Sequence, residues 1–302
     1  MADAEPTLAR PVPAPAPVAD PEPGGPEYVN RPDRFVSLGA RAWRDGLRDL
    51  VAGREILAGL LRRDIASRYR QSLLGLGWAV LTPLAMVLVF YFLHRANLLT
   101  GGSPGAPLGL WLYVGVLAWQ FFQAALTRTT TALSSQPELV NRVRFPREIL
   151  VLAALGGALF DFVLGAAVLV PFFAIQGVVP AWTAVLLPLL LLLQVLFSLV
   201  LGLILAVLNG ALRDLASIVP LAGLLWMFLT PVVYPPATEG FAALLSWLNP
   251  MAPIVVAWRD LAFTGTLTMP GQLAVATLLT LALLPVAWRY FQVMLPRVAE
   301  TI

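Results

Sequence analysis

Lysine and cysteine are both absent from this chain, and histidine occurs once, as His94. Without cysteine there is no disulfide framework, no thiolate nucleophile and no cysteine-ligated metal. A single histidine rules out a multi-histidine metal site within one chain. Without lysine there is no P-loop lysine, no Schiff base and no serine–lysine dyad. Charge of either sign is scarce: 12% of the 302 residues are charged, against 59% that are hydrophobic. That is too apolar for a soluble domain of this size and points to membrane spans. All 20 basic residues are arginines; the net charge is only +3, but the distribution of the arginines is informative.

Residues 1–33, with stretches such as PVPAPAPVADPEPGGP, are rich in Pro, Ala and Gly. Such a composition buries too little apolar surface to fold and reads as a disordered tail. It has no basic start followed by an apolar run, so it does not read as a signal peptide. Residues 34–76 form a second unit, in which Leu47, Leu50, Val51, Ile56, Leu57, Leu60 and Leu61 recur at helical spacing with arginines on the other face. This pattern predicts one or two amphipathic interface helices lying on the cytoplasmic membrane surface; the alternative is a soluble helical hairpin.

Residues 77–302 read as a membrane domain. A helix needs about 20 apolar residues to cross the hydrocarbon core, and six segments qualify: 77–94, 108–126, 149–175, 182–208, 216–234 and 272–290. Pro83, Pro171, Pro188, Pro220 and Pro285 lie in or near these spans, which membrane helices tolerate. Between the fifth and sixth spans, 241–248 and 251–263 are apolar but too short to cross, and Pro250 and Pro253 break the region. They predict a re-entrant or interfacial helical segment. The expected fold is therefore an all-α integral membrane protein of six transmembrane helices. No internal repeat supports an inverted-repeat transporter.

Arginine bias sets the orientation. Arg41, Arg44, Arg48, Arg54, Arg62, Arg63, Arg68, Arg70, Arg128, Arg142, Arg144, Arg147, Arg213, Arg289 and Arg297 share one side, whereas only Arg95 and Arg259 fall on the other. Both termini are thus expected in the cytoplasm, as is the connection 127–148, TRTTTALSSQPELVNRVRFPRE. That connection is longer than a plain turn. Ser135 or Gln136 before Pro137, with Glu138 close behind, predicts a short helix start. Pro146 limits its far end by pushing Phe145 out of helical geometry. Spacing leaves two readings open: a docking helix for a cytoplasmic partner, or a positive-inside stop segment whose arginines meet lipid phosphates.

Three further features stand out. Tyr91, Trp111, Tyr113, Trp119 and Phe122 could line a conduit on which the C–H faces of sugars slide, or form interfacial aromatic belts. Asp161 is the clearest carboxylate at membrane depth, and Gly157 and Gly165 make its stripe small. It reads either as a relay or path residue, or as a structural hydrogen-bond partner of a neighbouring helix. Arg213 and Asp214 pair at a tight cytoplasmic turn that positions span five, while His94 faces the surface on the outer side.

RRDIASRYRQSLLGLGWAVLTPLAMVLVF (62–90) resembles the opening of the type-2 ATP-binding-cassette permeases that export polysaccharides. The matching positions are Arg63, Asp64, Ile65, Arg68, Tyr69, Leu76, Gly77, Trp78 and Pro83, although Leu74-Gly75 is the more family-like Leu-Gly. The resemblance continues in order through NRVRFPREIL (141–150), ALRDLASIVP (211–220), FLTPVVYP (228–235) and LNPMAPIVVAWRDLAFTG (248–265), and covers about residues 45–302.

The resemblance implies that the segment of Glu138, Leu139, Arg142, Val143, Arg144, Phe145, Pro146 and Arg147 is a coupling helix seated in a groove of a nucleotide-binding ATPase subunit. Arg63, Asp64, Arg68, Tyr69, Arg213 and Asp214 become interface or gating residues, and an acidic residue is expected near Asp161. ATP and Mg would be held by the partner ATPase, present in two copies, since this chain has no lysine for a P-loop. A homodimer of the chain in the bacterial inner membrane would then export a lipid-linked, O-antigen-type polysaccharide, in contact with membrane lipids and without catalytic, metal or nucleic-acid sites. Teichoic acid, capsule glycan or a drug are alternative cargoes; the arginine-only basic set hints at a GC-rich genome, which disfavours teichoic acid. A proton-coupled secondary transporter would use Asp161 as relay but should carry further intramembrane acids. A membrane-embedded glycosyltransferase would need clustered acids, and the outer loops offer only Glu239 and Asp260.

Overall fold

The computed structural model describes residues 46, 48–70, 75–99, 105–142, 145–237 and 239–299. The predicted tail 1–33 lies outside them. Among the described residues the chain is helical with no strand. Helix α1 is Arg54–Arg70, α2 is Gly77–Arg95, α3 is Leu108–Thr131 and α4 is Pro137–Arg142. Helix α5, Glu148–Ala167, runs on past Val168 into α6, Leu169–Gln176, which stops at Gly177 with φ 64°. A 3₁₀ turn, Trp182–Leu186, leads into α7, Leu187–Ala211, and α8 is Leu215–Phe228. Helix α9, Gly240–Leu248, is followed across Asn249 and Pro250 by α10, Met251–Arg259, and a π turn, Asp260–Thr264, leads on to α11, Pro270–Ala299.

Helix α3 is the hub. Its sequence LGLWLYVGVLAWQFF is apolar all round, so it is covered on every side, packing against α2, α5, α7, α8 and α10. A second apolar cluster, centred on Leu133, Phe145, Ile149, Val200, Ala206 and Phe291, closes the other end of the bundle. Outward faces stay apolar: Val170, Ile175, Leu189, Leu225, Leu278 and Val286 are all exposed, as expected of helices that meet lipid or another chain.

Among the described residues, five helical stretches are long and apolar enough to cross a membrane: Gly77–Arg95, Leu108–Thr131, Glu148–Gln176, Trp182–Ala211 and Pro270–Pro296. The predicted span 216–234 is instead the 14-residue α8 followed by an irregular exit. Fourteen residues rise about 21 Å, short of a hydrocarbon core of about 30 Å. The helix stops because Pro231 follows, and Leu229 to Tyr234 fold into a tight exit. Even so, this segment runs antiparallel to α3. Gln123 on α3 donates to the Pro220 carbonyl at 3.5 Å, the Trp226 ring lies 5.2 Å from that of Phe122, and the Val232 carbonyl reaches the level of Gly115.

Helix α1, expected as an amphipathic helix on the membrane surface, runs parallel to the first half of α5. Gly53 abuts Ile149, Leu61 faces Gly156, and Arg68 reaches Asp161. Its Leu57 and Leu60 join the second apolar cluster, while Arg62, Arg63 and Ser67 stay exposed. The small Gly156 and Gly157 allow this close approach.

Candidate functional site

The most polar construction inside the bundle gathers three sequence-singled residues and one that the sequence did not single out. Asp161 Oδ2 accepts from Arg68 Nη1 at 3.2 Å and from Arg128 Nη2. Arg68 Nη2 donates to Asp64 Oδ2 one turn earlier on α1. Two guanidiniums and two carboxylates thus balance each other on α1, α3 and α5. All but Asp64 are less than a third exposed, and an ion here needs its partner more than a surface ion does. Gly157 creates the space, since a Cβ there would stand 2.7 Å from Asp64 Oδ2. Asp161 is therefore one corner of a network joining three helices. That network sits just below the start of α2, whose Ala79 carbonyl is level with Gly165.

The loop between α3 and α5 is held on both flanks while its centre projects. Arg63 Nη2 donates to Gln136 Oε1 at 2.7 Å, and Asn209 Nδ2 donates to Ser134 Oγ at 3.0 Å. Beyond α4, Phe145 inserts into the second apolar cluster. Glu148 Oε1 accepts from Trp288 Nε1 at 3.0 Å and from Gln292 Nε2 at 3.2 Å. Helix α4 starts at Pro137, as the sequence indicates, with Glu138 exposed at its first turn. Leu139 is half-buried and packs on the second cluster, so that side faces the protein's own interior. Burial pushes the Arg147 guanidinium below its ordinary value, and the Glu148 charge opposes the shift. Pro146 is half-buried beside it. Val143 and Arg144 lie outside the described residues, as do the side chains of Arg142 and Tyr69. Arg213 and Asp214 are exposed on the turn between α7 and α8.

The aromatic residues divide. Trp111, Tyr113, Trp119 and Phe122 are each at most 4% exposed, so within one chain they are packing residues that present no open wall. Trp119 and Phe122 sit edge-on to Trp226, and the Tyr113 hydroxyl donates to the Gly165 carbonyl at 2.9 Å. Tyr91 alone borders open space. It lines a groove of about 1340 Å³ along α2, with Leu81, Ala85 and Leu88 on its wall and His94 and Arg95 at its end. The Arg95 guanidinium bonds the Tyr91 hydroxyl at 3.0 Å, and His94 Nδ1 lies 3.0 Å from the Phe90 carbonyl.

Sequence reasoning passed over a buried polar framework at the opposite end. Gln194 Nε2 donates to the Ala118 carbonyl at 2.7 Å, and its Oε1 accepts from Trp258 Nε1 at 2.8 Å, joining α3, α7 and α10. Asn249 fixes the joint between α9 and α10: its Nδ2 donates to Thr230 Oγ1 at 2.9 Å, and its Oδ1 accepts from Trp226 Nε1 at 2.9 Å. Arg259 is 4% exposed and donates to three backbone carbonyls. The available signal was a set of lone polar residues in apolar helical runs, which must find internal partners.

Residues 57–263 match the family model described as ABC-2 type transporter. An "O-antigen export system permease protein RfbA" of Myxococcus xanthus is 32% identical over 263 residues, covering 85% of this chain and 98% of that protein. Two proteins of the same name from Klebsiella pneumoniae are 28% and 26% identical over 217 and 220 residues. Each alignment covers 70% of this chain and 82% of the relative.

Proposed function

The chain belongs to the ABC-2 type transporter membrane family, and from that premise we propose that it is the transmembrane subunit of an exporter driven by ATP hydrolysis in a separate subunit. The observation that carries this reading is α4. A short helix with an exposed acidic first turn projects at the arginine-rich end, and hydrogen bonds on both flanks tie it to α1, α7 and α11. A partner pushing on such a helix moves the bundle, because the loop cannot yield alone. Glu138 is exposed on it while Leu139, Phe145 and Pro146 seat it, and Arg142, Arg144 and Arg147 are assigned to the contact with the partner from the sequence. The chain supplies no lysine for nucleotide phosphates, so ATP and Mg act on the partner.

The cargo is an O-antigen-type, lipid-linked polysaccharide; the three relatives named for O-antigen export support this. Two copies of the chain and two ATPase subunits form the working unit in the inner membrane. We take the segment 215–232 as a sixth crossing; its antiparallel course beside α3, from Gln123 to Gly115, supports this reading. Six crossings put both termini on the arginine-rich, cytoplasmic side. Arg63, Asp64, Arg68, Tyr69, Arg213 and Asp214 transmit the movement of α4. The path runs beside the α2 groove and Tyr91, while Trp111, Tyr113, Trp119 and Phe122 pack within the bundle. Asp161 serves the path as a structural ion partner, and its engagement by two arginines supports this over a proton relay.

Purification of the chain with candidate cytoplasmic ATPases tests the proposal. Co-purification and stimulated ATP turnover are expected, and both should fall sharply in Arg144→Glu with Arg147→Glu. Undiminished assembly and turnover in that double variant would remove α4 from the coupling role.

A further inference from the structure

Arg259 closes α10 at the end of the bundle remote from α4. On α3, about 26 Å of helix rise separates its contact Trp111 from Arg128 of the ion network. Its guanidinium bonds no carboxylate directly: among the described residues no close ion pair includes it, and the neighbouring Asp260 acts on it only through its charge. Nε donates to the Trp111 carbonyl at 3.2 Å, Nη1 to the Pro231 carbonyl at 2.8 Å and Nη2 to the Val232 carbonyl. The Trp111 ring covers it with Cζ 3.5 Å from the ring centroid. Adjacent Asp260 turns away, accepting instead from the Thr268 amide at 2.5 Å and hydroxyl at 3.0 Å. Gly115 leaves the cavity for the guanidinium; a Cβ there would overlap it and stand 2.7 Å from the Val232 carbonyl.

One side chain therefore joins three pieces of chain: the start of α3, the exit of α8 and the end of α10. A cation near the exit of a helix is favoured by the carbonyls gathered there. Yet a buried charge whose direct partners are carbonyls and one ring face is a costly way to rivet helices, because an apolar side chain of similar volume would pack at lower cost. If the α8 exit withdrew, water would replace the carbonyls on the guanidinium.

Resting on the transport reading above, we propose that Arg259 is a positioning residue that latches this end of the bundle, and that each transport cycle breaks and re-forms its bonds to Pro231 and Val232. The latch gives the short α8 a function. Its irregular exit, rather than a full helical turn, is the part that moves.

The chain has no native cysteine, so maleimide found on this chain reports the introduced one alone. The Val232 side chain is fully buried, so Val232→Cys is probed with a water-soluble maleimide in the chain–ATPase complex in nanodiscs. Labelling is expected to be slow at rest and at least about tenfold faster during ATP turnover, the factor that one charge-assisted bond exerts on a closed–open ratio. Unchanged slow labelling while ATP is turned over and cargo moves would make Arg259 a static strut and overturn the proposal. In a second arm without nucleotide, Gly115→Ala and Arg259→Lys are expected to raise Val232→Cys labelling by a similar factor. Ile254→Cys, also fully buried, should stay unreactive in both, which separates local release from unfolding. Slow labelling of Val232→Cys in both latch variants also overturns the proposal. A complex without ATP turnover would refute the transport reading, whereas the second arm would still read the latch.

Discussion

Gly202 shows how little freedom the interior leaves to single residues. A Cβ at this position would stand 2.7 Å from Thr129 Oγ1 and 2.8 Å from Thr129 Cβ, and Thr129 is itself buried and bonded to the Ala125 carbonyl. Gly202→Ala should therefore cost about 1–3 kcal/mol through overpacking, read as a lower unfolding temperature by tryptophan fluorescence in detergent. Asp161 makes the complementary point for charge. Asp161→Asn weakens the shared acceptor of Arg68 and Arg128 and should cost about 1.5–3 kcal/mol, with Asp161→Glu recovering part of it in the same assay. Proton flux through vesicles should not change in Asp161→Asn; its loss would favour a relay. The sequence marked Asp161 and its glycine stripe, but not its partners. Arg128 lies on α3 and Arg68 on α1, and only packing brings these distant segments together.

At the scale of an element, α4 was readable in outline because its signals are local. Proline at the first helical position and proline beyond the end act through backbone sterics within a few residues. Which face meets a partner was not readable, since that depends on where the second apolar cluster lies. The structure turns Leu139 inward and leaves Glu138 outside. Leu139→Asp should thus destabilise the chain by about 2 kcal/mol or more, seen as a lower unfolding temperature. Glu138→Arg should leave stability within about 0.5 kcal/mol yet weaken ATPase co-purification. Helix α1 shows the limit of periodicity: its apolar stripe was evident, but a stripe fits a membrane surface and the flank of α5 equally well. Apolarity likewise identified 216–234 as one unit without revealing that the helix stops at Phe228.

For the whole molecule, hydropathy locates most of the long apolar helices, and arginine bias carries the proposed orientation. Registers along α3 agree with alternating passes. Residues 161 and 165 of α5 pair with residues 128 and 113, in reverse order, whereas residues 194 and 202 of α7 pair with residues 118 and 129 in the same order. Reporters fused to the two ends of the chain should consequently read the same, cytoplasmic side; opposite sides would mean that 215–232 does not cross.

The sequence by itself determined the class of this protein: an all-helical, membrane-crossing chain with a basic face, without a nucleotide-binding lysine, and with the ordered motifs of a permease family. Those properties follow from composition and short-range spacing, because lipid forces apolar helices to satisfy their own backbone. Tertiary structure alone decided which polar residues meet. Arg259 reaching Trp111, Pro231 and Val232, Gln194 joining Ala118 to Trp258, and Asp161 joining Arg68 to Arg128 are contacts between segments far apart in sequence. A buried polar group needs a partner, but chain order does not say which one; the packing of helices around α3 does.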